Sequence, residues 1–254
     1  MNPTPDSIAE AAGEIRRRIA SAGGDPDQVS IVAVTKNFPA EVAAAAYDAG
    51  LRVLGENYAG ELIDKAGSLA DRDPAWHYLG AIQTNKVARL APVTDCFQGV
   101  SRLKEAAAIA RQRPGAGVMI QVDFTGRPER GGVAPSEVAE LVGAVQQLGL
   151  DVRGLMTVAP AEPSAARAAF RKVSEIARDL GLKERSMGMT DDLEIAIEEG
   201  VVHTVSGHQP AVVPAKDAEK ARALQADRGV GTPFLAAHLY IEQDVGDRVA
   251  LAPV

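Results

Sequence analysis

The chain has 254 residues, 46% of them hydrophobic, enough to bury a sizeable core as one large α/β domain or two smaller ones. With 27 basic against 34 acidic residues the net charge is −7, which argues against a nucleic-acid surface, and no basic run suggests a membrane surface. The single cysteine, Cys96, excludes an internal disulfide and a cysteine-rich metal site.

The chain opens on MNPTPDSIAEAAGEIRRRIASAGG, an amphipathic helix pattern with mixed charges and without the apolar centre of a signal peptide. No apolar stretch reaches the roughly 18 residues that would span a membrane. The expectation is a soluble, cytoplasmic protein. Strand-like runs then follow at VSIVAVTK (29–36), RVLGEN (52–57), AWHYLGAIQ (75–83), DCFQGV (95–100), GVMIQVDF (117–124), DVRGLMTVA (151–159), ERSMGM (184–189) and VVHTVSG (201–207). Between them lie segments with apolar residues three and four apart, such as PAEVAAAAYDAG and PSAARAAFRKVSEIARDLG. Several open on Pro, Ser or Thr and close on Gly. Alternating strands and helices imply a parallel sheet, and eight such units predict a single (β/α)8 TIM barrel with an extra N-terminal helix. A doubly wound open sheet is the alternative, but no G-x-G-x-x-G follows the first strand. Residues 1–210 are assigned to the barrel and 211–254 to an atypical tail that packs on it or extends it.

In such barrels chemistry gathers where strands end. The residues there are Lys36, Asn57, Gln83, Asn85, Asp123, Met156, Thr157, 186–189, Gly207 and His208. Lys36 ends an apolar strand, where an ammonium is costly to bury. Either it snorkels to solvent, or barrel walls and few acids favour its neutral, nucleophilic amine, the setting of a Schiff-base lysine. The segment ERSMGMTDDLEIAIEEG offers a short strand, a Gly-containing turn and a helix capped at Thr190, either a phosphate-binding arrangement or ordinary capping. His77 and Cys96 read as core residues, Asp191 and Asp192 as caps, and Arg127 with Arg130 as a solvated loop. Glu56 points to the opposite face from Asn57.

The phrases VAVTKNFP, GENYAGELIDK, WHYLGAIQTNK, RGLMTVAP and SMGMTDDLEIAI, in this order and spacing, are similar to those of one family. Over residues 8–204 the chain resembles the YggS/PROSC family of pyridoxal phosphate homeostasis proteins, which look like the barrel domain of alanine racemase standing alone. The resemblance implies pyridoxal 5′-phosphate held as a Schiff base on Lys36, with Asn57 beside the ring and Ser186, Gly188 and Met189 in the phosphate cup. It also implies a carrier or regulator of the cofactor, with no catalytic residue assigned and no strong turnover. The implied partners are the small-molecule cofactor and amino or keto acids, without nucleic acid, membrane or metal, for a monomer or weak homodimer.

The chain departs from the family at HTVSGHQPAVVP. Gly207 matches the family's glycine, but Val205 replaces an arginine and His208 a small hydroxyl. Each lost hydrogen bond to the cofactor is worth about 1–3 kcal/mol. Lower affinity follows unless His208 and the tail compensate. Two other readings stay open: a racemase-like enzyme of amino acids that draws a second catalytic group from the tail, and a barrel that has lost the cofactor. In the tail, AKDAEKARALQADRG reads as a helix and LYIEQDVGDRVALAP as a hairpin around Val245, Gly246 and Asp247.

Overall fold

The first apolar run forms strand β1 (Val29–Val34) in the computed structural model of the chain, which describes residues 2–127, 130–200 and 235–240. Seven more strands follow: β2 (Val53–Glu56), β3 (Ala75–Tyr78), β4 (Cys96–Val100), β5 (Gly117–Gln121), β6 (Asp151–Met156), β7 (Glu184–Ser186) and β8 (Leu235–Tyr240). They pair in parallel and in chain order into a closed barrel. The helices are α1 (Pro5–Ser21), α2 (Ala40–Asp48), α3 (Ala59–Ser68), α4 (Val87–Leu90), α5 (Leu103–Gln112), α6 (Val138–Gln147), α7 (Pro163–Asp179) and α8 (Leu193–Gly200). The barrel and the N-terminal helix expected from the pattern are both present.

Alternation along the strands separates two apolar populations. Ile31, Ala33, Leu54, Phe97, Val118 and Leu155 belong to one continuous shell with the helix faces, among them Ile8, Ile15 and Ile19 of α1 and Phe170 and Val173 of α7. Burying each such side chain contributes about 1.5–3 kcal/mol. The alternate positions fill the barrel interior: Val32 and Val34 pack with Val53, Leu79 and Met189, and Cys96 packs with Met119, Met156 and Val158. Burial pushes the Cys96 thiol up to about 12, consistent with a packing role. The helix α1 starts at Thr4, whose side chain accepts from Ser7 N–H, with Pro5 in the first turn. It packs against α2 and α8, and Arg18 Nε meets Glu194 Oε1 at 2.6 Å.

Most strands end short of their sequence runs, β5 at Gln121 rather than 124, β6 at Met156 rather than 159 and β7 at Ser186 rather than 189, and β3 shortens most. β3 stops at Tyr78 rather than at 83, because the backbone turns at Gly80, where a Cβ would stand 2.0 Å from the Asn57 carbonyl oxygen. The strand expected at 201–207 lies outside the described residues, as do Val205, Gly207, His208 and the proposed hairpin beyond Tyr240, its first two residues, Leu239 and Tyr240, being part of β8. The place between β7 and β1 is filled by Leu235–Tyr240, in register from Val29↔Leu235 to Val34↔Tyr240. Those six residues fall inside the segment set apart as a tail. Among the described residues no helix is long and apolar enough to cross a membrane, and no cluster of His, Cys, Asp and Glu suits a metal ion.

Candidate functional site

Strand β1 ends before Lys36, and the chain turns. Phe38 N–H donates to the Thr35 carbonyl at 3.2 Å, and Asn37 takes φ 66°, the left-handed conformation that Asn tolerates in a tight turn. Lys36 is the residue between them, half-buried, and it lines a cavity of about 530 Å³ at this end of the barrel. Asn57, one residue beyond β2, lines the same cavity. Its Oδ1 is buried and meets no hydrogen-bond donor of the described chain. An acceptor left in that state costs about 1–3 kcal/mol, so it marks a place where a ligand donor or water belongs.

The ends of β2, β3 and β4 close together behind this cavity because two glycines allow it. Besides the approach at Gly80, a Cβ on Gly99 would stand 2.9 Å from the Gly80 carbonyl oxygen. Across the cavity lie Met156, Val158, Gln121 and the loop bearing Arg130. Gln121 Nε2 donates to the Arg130 carbonyl at 2.9 Å, which fixes that loop. Asp123 ties its start by accepting from Thr125 N–H at 2.8 Å and Gly126 N–H at 2.9 Å. Burial pushes the Asp123 carboxyl up, but the Thr125 and Gly126 donors and the Arg130 charge outweigh it and hold the group below its ordinary range.

Among the described residues that line the cavity, Lys36, Arg102 and Arg130 carry basic side chains and Glu105 a carboxylate. That carboxylate is committed: it accepts from Ser101 N–H at 2.9 Å and Arg102 N–H at 3.0 Å, and it pairs with the Arg102 guanidinium. These basic side chains suit an anionic ligand.

The residues expected in a phosphate cup are placed differently from one another. Ser186 is buried and donates its hydroxyl proton to Gln98 Oε1 at 2.6 Å inside the barrel. Gly188 takes φ 85°, and a Cβ there would stand 2.6 Å from Ala196 Cβ, so this glycine permits close packing on α8. Met189 lines a smaller cavity of about 110 Å³, which shares Arg130 and Val158 with the larger one. Its N–H donates to Asp192 Oδ1 at 2.6 Å. Asp192, whose carbonyl receives the Ala196 N–H at 2.9 Å, thus begins α8, rather than Thr190. The Thr190 Oγ1 is buried and meets no partner of the described chain.

Other expected mouth residues stay out of the cavity. Gln83 and Asn85 are exposed on the connector to α4, since β3 ends early. Thr157 is buried, its Oγ1 donating to the Val122 carbonyl at 2.9 Å. Arg130, read as solvated, lines both cavities. Gln98 and Arg102 were not singled out by the sequence, because a lone Gln or Arg carries no spacing signal. Glu56 does point away from Asn57, as strand alternation requires: its Oε1 lies 2.5 Å from Nζ of Lys65 on α3.

Residues 8–206 match the family model described as the N-terminal domain of alanine racemase, so the match ends where the sequence lost its resemblance. A pyridoxal phosphate homeostasis protein of Pseudomonas aeruginosa is 41% identical over 209 residues, covering 79% of this chain and 91% of that protein. The chain belongs to the pyridoxal phosphate homeostasis protein family. A second family member, from Escherichia coli K12, is 32% identical over 240 residues and is matched along 100% of its length, against 87% of this chain. Among solved structures, PipY of Synechococcus elongatus with PLP bound is 26% identical, with a TM-score of 0.64, covering 88% of this chain and 97% of that one. A protein of Bifidobacterium adolescentis at 23% identity and TM-score 0.71 matches 92% of both chains and shows the fold alone.

Proposed function

We propose that this chain binds pyridoxal 5′-phosphate through Lys36 and acts as an intracellular carrier or regulator of the cofactor without strong turnover. The observation that carries this reading is the pairing, in one cavity, of the Lys36 amine with the buried, unsatisfied Asn57 Oδ1. When bound, the cofactor would supply an aldehyde as the electrophile for an amine of this chain. Lys36 would provide the amine, Asn57 would meet a polar edge of the ring, and Arg130 would balance negative charge. Backbone around Gly188 and Met189 would lie toward the phosphate, while Gly207 and His208 fall outside the described residues. The proton of Ser186 is committed to Gln98, so its part would be indirect. Relatives bearing the homeostasis name, and PipY with PLP bound, support the reading. Support for weak turnover comes from Glu105, whose bonds to Ser101 and Arg102 make it a poor proton shuttle. Small amino and keto acids are the proposed exchange partners, met in the cytoplasm by a monomer or weak homodimer.

The test is an absorbance spectrum of purified protein titrated with pyridoxal phosphate, beside Lys36→Ala. A visible band that borohydride removes, and that Lys36→Ala lacks, is the expected result. A flat spectrum at saturating cofactor would overturn the reading.

A further inference from the structure

Lys65 is a buried cation, 3% exposed, with a demanding set of partners. Its Nζ lies 2.5 Å from Glu56 Oε1, 2.9 Å from Glu61 Oε2 and 2.7 Å from the Thr35 carbonyl. Glu56 in turn accepts from Thr35 Oγ1 at 2.7 Å, and Glu61 Oε2 accepts from Asn37 N–H at 2.9 Å. Every arm of this network therefore ends on residue 35 or residue 37, the two neighbours of Lys36. A simple anchor between α3 and β2 would need only the Glu56 pair. It would not need the carbonyl and hydroxyl of Thr35 and, through Glu61, the amide of Asn37.

Energetics point the same way. Two charges withdrawn from water recover little net stability, and a well-packed apolar pair of similar size is often as stable or more so. Burial pushes the Glu56 carboxyl up even against its bonds from Lys65 and Thr35. A network with so small a net return is better explained by what it fixes. What it fixes is a turn with Asn37 in a left-handed conformation, one that a relaxed chain would leave readily.

We propose that Lys65, with Glu56 and Glu61, is a positioning device for Lys36: it locks the turn on both sides of that residue so that the amine is held ready in the cavity beside Asn57. This rests on the reading of Lys36 as the cofactor's lysine. Lys65 itself touches no ligand and acts through the turn.

Glu61→Gln is the informative variant, because the Glu61 side chain is 31% exposed and its loss of charge leaves the Glu56–Lys65 pair intact. Three quantities are measured in wild type and variant: melting without cofactor, affinity for pyridoxal phosphate, and the pH midpoint of the visible band. The expected result is unchanged melting, about tenfold weaker binding and a displaced midpoint. Unchanged affinity and midpoint would overturn the proposal, whatever the melting does. If melting and affinity both fall, the double variant Glu56→Gln with Lys65→Met decides, since it removes the buried charges together. Recovered melting with weak binding supports positioning, and recovery of both refutes it. A wild type without a borohydride-sensitive band would instead sink the functional reading, and this proposal with it.

Discussion

The hydroxyl of Ser186 on β7 donates to Oε1 of Gln98 on β4 at 2.6 Å, deep inside the barrel. The Gln98 amide nitrogen meets His77 Nδ1 of β3, also at 2.6 Å. With the amide turned to take the serine proton, its N–H donates to the imidazole, which places the His77 proton on Nε2. Three strands are thus joined by a chain of side-chain hydrogen bonds.

Removing the serine proton tests that assignment. Ser186→Ala leaves Gln98 Oε1 buried without this donor, and the expected loss of stability is about 1–3 kcal/mol. Urea unfolding of the cofactor-free protein measures it. Affinity for pyridoxal phosphate is expected to change by less than about twofold, and a tenfold loss would move the hydroxyl onto the phosphate.

A second prediction concerns acid. The Arg18 guanidinium, hydrogen-bonded to Glu194, holds that carboxyl below its ordinary 4.5, although burial opposes the shift. A lowered folded value gives stability that is present above the unfolded value and lost as pH falls through the folded one. The Glu194 side chain is 43% exposed, so solvent screening limits the pair to about 1 kcal/mol or less. Glu194→Gln is expected to cost that much at neutral pH and to flatten part of the decline below about pH 4.5. The Arg171–Glu199 pair, which shifts in the same direction, keeps the remainder of the slope. Thermal melts at stepped pH distinguish the two chains, and superimposable slopes would refute the prediction.

The barrel was legible because its signals are local. VSIVAV alternates between an outer shell and an inner cluster, and the position after it had to be where a strand gives way to a loop. Lys65 was not legible: in GELIDK it stands four residues after Glu61, the usual spacing of a solvated helix pair. Only the three-dimensional approach of α3 to β1 turns that pair into a buried network. The bond from Ser186 to Gln98 was not legible either, since the motif says nothing of the Gln that strand alternation places opposite it on β4. β8 escaped because LAAHLY is no more strand-like than its neighbours, and closing a barrel depends on a partner that lies some two hundred residues earlier, at Val29–Val34.

Asn57 offers a prediction in which stability and binding move apart. Its buried Oδ1 meets no donor of the described chain, so in the cofactor-free protein this acceptor is a net cost. Asn57→Ala removes the cost together with some packing. The expected outcome is a cofactor-free protein within about 1 kcal/mol of wild type, or more stable, because functional polar groups are commonly held at the expense of stability. Affinity for pyridoxal phosphate is expected to fall by about three- to tenfold in the same variant, as one neutral hydrogen bond is lost. Calorimetric melting and cofactor titration on one preparation give both quantities. A variant that is markedly less stable yet binds as wild type would make Asn57 a structural residue.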